Sequence, residues 1–309
     1  MSKITLALLM VFSVSAILFR TARPRSVNAL ARYFSRSRKF FHHARSGGTS
    51  NLPAVIFWAW ERPEDLRFLT PDQAGVAFLA KTIYLQPPST NPTGTSPFIV
   101  RPRLEPLRIA RGTPLIAVIR METRAQPRLS SLEENQSALQ AFTYSNAQRA
   151  LLASEIASTQ SISGISAIQI DFDAPSSARP FYIALLEDVR GKLPPSLPLS
   201  ITALASWCIG DPWLAMLPPG TIDEAVPMFF RMGPDAGNVR KFLHSGDDFP
   251  VAVCRGSLGL SIDESLSNDL LTAGSTFSTL DPREKRVYVF APRSWTQSAA
   301  ETILEELQP

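Results

Sequence analysis

From about residue 53 onward the chain alternates between two patterns of hydrophobic and polar positions. Eight short runs are nearly continuous in apolar residues: Ala54–Trp60, Gly75–Gln86, Pro114–Thr123, Gly164–Asp173, Leu199–Cys208, Thr221–Met232, Phe249–Ser257 and Arg286–Trp295. Runs of this length, bounded by turn residues, read as strands buried on both faces, as in parallel sheets. Between many of them the apolar positions recur with a helical period. Ser137–Gln160 carries Leu139, Phe142, Leu151, Leu152 and Ile156, and Ala178–Leu193 places Tyr182, Leu185, Leu186 and Val189 on one face. Shorter helices are expected at Pro212–Leu217, Ala236–His244, Ile262–Leu271 and Thr296–Leu307.

Eight strands with interleaved helices in residues 53–309 fit a single (β/α)8 TIM-type barrel, whose usual length is about 250 residues. The second βα unit is expected to be irregular. Pro87, Pro88, Pro92, Pro97, Pro102 and Pro106 exclude an ordinary helix there, leaving Phe98–Val100 and Leu104 for an excursion or hairpin. A doubly wound open sheet is the alternative, but no glycine-rich phosphate loop follows any strand.

Charge divides the chain. Residues 1–50 hold nine of the 31 Lys and Arg and no Asp or Glu, so the remainder carries 22 basic against 27 acidic residues, a net of −5. Such a domain lacks the basic face that nucleic acid requires, and no nucleic-acid partner is expected. Lys3 precedes sixteen mostly apolar residues, Ile4 to Phe19. This pattern over residues 1–20 reads as a signal anchor or a signal peptide, followed by a basic flexible linker at 21–52 and the barrel at 53–309. A membrane-anchored or exported protein of the cell envelope is expected, with contact to the membrane through the N-terminal segment. Arginines after the apolar stretch set the positive-inside rule against export, so the orientation stays open. Cys208 and Cys254 both lie in apolar runs and are expected as buried free thiols.

In (β/α)8 barrels the chemistry sits at the C-terminal ends of the strands. Here those ends bring Trp58 and Trp60, Arg120 and Glu122, Asp171 and Asp173, Trp207, Met228 and Arg231, Arg255 and Trp295. Along the fourth strand Gln169, Asp171 and Asp173 share one face, while Ile168, Ile170 and Phe172 share the other. Carboxylates among indoles suit sugar rings, whose C–H faces pack on aromatic planes. Arg231 and Arg255 would bind an anionic group or neutralise the acidic mouth. His244 is the one histidine after residue 50, which disfavours a Ser-His-Asp hydrolase and a histidine-ligated zinc. Neither metal nor cofactor is expected, and proton transfer falls to carboxylates, Tyr or Lys. Asp223 and Glu224 open a strand, at the face that serves stability.

The runs Val55–Trp60, Ile168–Asp173, Ser200–Cys208 and Val226–Gly233 resemble a bacterial family known as domain of unknown function 3142. A more distant likeness links the fourth strand to chitinase-like (family 18) glycoside hydrolases, which carry Asp-x-x-Asp-x-Asp-x-Glu at that place. Ser166, Gln169, Asp171 and Asp173 stand at the four spacings, with Gln169 in place of an Asp and Asp173 in place of the acid Glu. The shorter side chain sets the acid back by roughly 1.5 Å. This resemblance implies a glycoside hydrolase acting on an amino-sugar-containing glycan, with Asp173 as general acid and Asp171 raising its pKa by like-charge proximity. Residues two apart on a strand lie about 6.6 Å apart on one side, so the two aspartates cannot straddle a glycosidic bond. The nucleophile is then the substrate's own acetamido group or a carboxylate from another strand, first Glu122. Gln169, Trp58, Trp60, Trp207, Met228, Arg231, Arg255 and Trp295 would bind the saccharide. The alternative is a barrel that binds a saccharide or a partner without turnover.

Overall fold

The computed structural model describes residues 49, 51–86, 97–123, 144–211, 213–265 and 281–307. They lie within the compact unit Ala44–Pro309. The expected N-terminal anchor falls outside the described residues, and among those described no helix is long and apolar enough to cross a membrane.

Eight parallel strands close on themselves. β1 (Val55–Ala59) pairs with β3 (Gly75–Leu85) on one side and with β11 (Arg286–Phe290) on the other. The circle continues from β3 through β6 (Leu115–Thr123), β7 (Ile165–Asp171), β8 (Leu199–Leu204), β9 (Glu224–Met228) and β10 (Ser257–Ser261) to β11. Closure explains why β1, β9 and β10 are buried almost throughout: one face fills the bore and the other meets the helices. The irregular second unit is present. β4 (Phe98–Pro102) runs back antiparallel along β3, and β2 (Glu64–Leu66) pairs with β5 (Leu107–Ile109) in a separate two-stranded sheet.

Local chemistry sets the helix ends. α1 (Asn146–Ala157) opens on a capping box in which the Gln148 amide donates to Ser145 Oγ at 3.2 Å and the Ser145 amide to Gln148 Oε1 at 2.9 Å. α2 (Arg179–Arg190) buries Tyr182, Leu185, Leu186 and Val189 along the expected stripe. A short α3 (Ala205–Ile209) follows β8, α4 (Ala236–Ser245) ends at Gly246 in the left-handed region (φ 75°), and α5 (Gln297–Glu306) starts at a Thr296 cap. Of the helix expected over Ser137–Gln160, the part before Tyr144 lies outside the described residues. The helix expected at Ile262–Leu271 starts late, at Ser265 after a turn at 262–263, and the residues beyond 265 are likewise outside.

Three expectations are corrected. The seventh strand is Ser257–Ser261, not Phe249–Ser257; the apolar run 249–254 packs outside the barrel, where Phe249 stacks on Phe229 and Phe242. The fifth strand stops at Leu204, and Ala205–Ile209 turns into α3, so the apolar tail of that run faces helices rather than the mouth. Cys208 and Cys254 are buried, but they form a disulfide with Cα atoms 5.9 Å apart.

The bore is closed by two kinds of packing. Ile56, Trp58, Ile116, Val118, Val226 and Tyr288 make an apolar plug. Gly259 leaves the room for Trp58: a Cβ there would meet the indole at 3.3 Å and the Pro227 carbonyl at 3.2 Å. Through this plug runs a buried polar chain. Trp58 Nε1 donates to Gln169 Oε1 (3.0 Å), Gln169 Nε2 to Ser200 Oγ (3.2 Å) and Ser200 Oγ to Glu224 Oε2 (3.2 Å). Tyr288 also donates to Glu224 (2.6 Å), and Arg286 pairs with it at 2.5 Å while binding the carbonyls of Thr49 and Pro53. Each side chain of this chain of bonds therefore has a partner, the condition on which such a network is tolerated. Glu224 serves the barrel floor, as its place at a strand start implied. Asp223 does likewise, accepting from the Leu199 amide and from Arg190.

Candidate active site at the C-terminal ends of the strands

Asp171 closes β7 in register with Arg120 of β6. Inward alternation places it above Gln169, and Thr202 of β8 donates to its Oδ1 at 2.7 Å. Phe172 turns outward and meets the edge of Tyr182 at 5.1 Å, and a tight turn (Ala174 amide to Phe172 carbonyl, 2.8 Å) follows. Asp173 is thereby held on the rim, exposed. Arg120 sits beside the two aspartates, its Nε 2.7 Å from Glu122 and its guanidinium 5.2 Å over the Trp60 ring. Trp60 meets Phe290 edge-on at 6.2 Å, and Phe290 stacks on Phe230 at 5.6 Å. The mouth thus combines four carboxylate and guanidinium groups with an aromatic floor.

Electrostatics separate the carboxylates. Burial pushes Asp171 up to about 6; the Thr202 hydrogen bond opposes the shift, Asp173 adds to it, Arg120 lowers it and Glu122 raises it. Desolvation at the rim also raises Asp173, against the pull of Arg120. The like-charge effect runs opposite to the expected direction: Asp173 raises Asp171, as a lesser cause than burial, whereas burial is what raises Asp173. Tyr182 lies behind them fully buried, its hydroxyl without a hydrogen-bond partner and its phenol pushed well up by burial and then by both aspartates.

Of the side chains expected to bind a saccharide, Trp60, Met228 and Arg231 reach the mouth. Met228 lines a shallow pocket with Leu204, Ser206, Phe230, Met232 and Asp235. Trp58 and Gln169 are in the bore, 3% and 0% exposed and bonded to each other, so they support the site from below. Trp207 is buried in α3 against Trp213, ring centres 5.0 Å apart. Trp295 is buried against Phe57 and donates its indole N–H to the Trp58 carbonyl at 2.9 Å. Arg255 precedes β10 instead of ending a strand, at the opposite end of the barrel, where it binds the Phe249 carbonyl (2.7 Å) and faces Asp248. Its misplacement follows directly from the misplaced seventh strand.

Sequence reading passed over Thr202 and Phe290. Thr202 lies two positions beyond Ser200 on the inward face, so strand alternation pointed to it; Phe290 ends a strand whose limit was set five residues too late. Among the described residues no three His, Cys, Asp or Glu side chains converge as a metal-holding group.

Fold and mouth together define a (β/α)8 barrel with a carboxylate-bearing C-terminal face. Residues 111–227, the stretch from β6 to β9 that carries Glu122, Asp171 and Asp173, match the model of a domain of unknown function, DUF3142. The resemblance to that family seen in the sequence is borne out. Similar solved structures include a candidate chitinase A from Streptomyces coelicolor, with 12% identity, 82% of this chain and 97% of that chain covered and a TM-score of 0.49. Another is the apo endo-beta-N-acetylglucosaminidase from Cordyceps militaris, at 8% identity, 89% and 96% coverage and a TM-score of 0.42. No curated protein matches the chain significantly.

Proposed function

We propose that this barrel hydrolyses an amino-sugar-containing glycan by carboxylate acid catalysis. The observation that carries the proposal is a proton held near neutral pH at the mouth: Asp171 is raised to about 6 directly beneath an exposed, also raised Asp173. A general acid is most effective when its pKa lies near the working pH. Asp173 is the acid because it is on the rim, where a glycosidic oxygen has access. Asp171, fixed by Thr202, keeps the pair from losing both protons at once. Trp60 and Phe290 offer the aromatic surface for a sugar ring. The nucleophile is the substrate's acetamido oxygen, since Glu122 is already engaged by Arg120.

The protein acts at the cell envelope, tethered or exported through its N-terminal apolar segment. The Cys208–Cys254 disulfide supports an oxidising compartment. A second reading, saccharide binding without turnover, draws support from the same Arg120–Glu122 pair, which ties up the carboxylate first expected as nucleophile.

The test is release of reducing ends from a panel of amino-sugar oligosaccharides. Turnover by the wild type and its loss by about a hundredfold in Asp173→Asn support the enzyme. Binding without release, equal in both proteins, supports the second reading instead.

A further inference from the structure

Arg231 is the one non-glycine among the described residues with a positive φ, 52°. Side chains adopt that region rarely, and strain of this kind gathers at functional sites. Here the strained residue follows β9 at the mouth, where a glycine would sit at ease, yet the position carries the longest and most polar of side chains. Three contacts fix it. Its amide donates to Glu264 Oε1 (3.2 Å), one guanidinium nitrogen reaches Asp263 Oδ2 at 3.4 Å, and the guanidinium plane lies 5.2 Å from the centre of the Phe290 ring. The Asp263 contact is long and single, and the other oxygen of Asp263 is taken by Ser261. Most of the guanidinium fork is therefore turned to solvent, and its side chain is 55% exposed.

Phe290 is the ring that also meets Trp60, on which Arg120 lies. The aromatic floor thus carries a guanidinium at each end. Arg120, beside the aspartates, is bound through Nε by Glu122. Arg231 is the more open of the two and stands on the side away from the acids of β7. A planar fork on an aromatic face recognises a carboxylate by paired hydrogen bonds.

Resting on the glycan reading above, we propose that Arg231 selects sugars that bear a carboxylate, and that the substrate is an acidic amino-sugar glycan. The ring next to the cleavage point rests on the aromatic floor, and its carboxylate displaces the weak Asp263 contact. Holding Arg231 at positive φ aims the fork across Phe290 rather than out along α4. An alternative role, a latch between the loops after β9 and β10, predicts no preference among sugars.

The experiment compares two tetrasaccharides on the full chain by fluorescence titration of Trp60. One is neutral, built of N-acetylglucosamine; the other alternates it with N-acetylmuramic acid, which carries a lactyl carboxylate. The wild type is expected to favour the acidic sugar by about tenfold or more, the worth of a charge-assisted hydrogen bond. Arg231→Gly, which accommodates the backbone conformation, should lose that preference, its affinity for the acidic sugar falling about tenfold further than its affinity for the neutral one. Arg231→Lys should keep part of it, and added salt should shrink it in the wild type. Equal affinity of the wild type for both sugars, or equal losses for both in Arg231→Gly, overturns this inference alone. If the wild type binds neither sugar, the glycan reading falls and takes this inference with it.

Discussion

Replacing Asp171 by Asn tests the electrostatics of the mouth without requiring a substrate. In the folded chain the Asp171 carboxyl titrates at about 6 against an ordinary 3.8, chiefly because it is buried. Below pH 4 the group is protonated in both folded and unfolded chains and contributes no pH-dependent term. Between about 4 and 6 the folded state holds a proton that the unfolded state has released, so stability falls as pH rises through this window. Above pH 6 the whole cost is present, about 3 kcal/mol for a shift of this size. An asparagine keeps an acceptor for Thr202 and carries no charge. Asp171→Asn should therefore stabilise the barrel by roughly 2–3 kcal/mol at pH 7.5, raising its melting temperature by about 4–10 °C. At pH 4 the difference should nearly vanish. Melting curves of both proteins from pH 4 to 8 decide the matter. A gap that is constant across pH, or a variant less stable at pH 7.5, would refute the assignment of a strained, buried charge to this site.

Other perturbations address the scaffold and the floor of the mouth. Glu224→Ala strands the Arg286 guanidinium in the bore and should cost about 3–5 kcal/mol by urea denaturation, with the loss much reduced in the double variant Glu224→Ala/Arg286→Met. Reducing the Cys208–Cys254 disulfide, 46 residues apart, should lower stability by about 4 kcal/mol on the chain-entropy estimate, and the Cys208→Ser variant should be insensitive to reductant. Gly259→Ala drives a methyl against Trp58 and the Pro227 carbonyl and should cost about 1–3 kcal/mol in the same denaturation assay. Trp60 is the one tryptophan that is not buried, so Trp60→Leu should remove the saccharide-dependent fluorescence change while leaving the melting temperature within a few degrees.

Much of the barrel was legible because parallel strands covered on both faces write themselves as continuous apolar runs. Val55–Ala59, Gly75–Leu85, Leu115–Thr123 and Ile165–Asp171 emerged nearly to the residue. The same property misled at 249–257. Phe249, Val251 and Cys254 form an apolar run because they pack against α4 and the outer face of β9, not because they pair in the sheet. The true strand, Ser257–Ser261, is rich in Ser and Gly: its inward positions hold Ser257, Gly259 and Ser261, small residues that leave the bore to Trp58 and Tyr288. A buried strand of small residues lacks a hydrophobic signature. The aspartates were legible because two acids at the end of an apolar strand are costly anywhere but at a mouth. The tryptophans were less so, since an indole at a strand end looks alike whether it faces a ligand or the next helix. Trp58, Trp207 and Trp295 all face protein, and only the direction of alternation and the start of α3 distinguish them from Trp60.

The central claim is that the Asp171–Asp173 pair delivers a proton to a glycan. Its most direct measurement is the pH dependence of reducing-end release from an amino-sugar oligosaccharide, from pH 4 to 8, for the wild type and Asp173→Asn. Release should decline as pH rises through about 6, where Asp171 beneath the acid gives up its proton, and should be lost at every pH in the variant. Release that survives Asp173→Asn, or a saccharide that binds the wild type but is not cleaved at any pH, would contradict it.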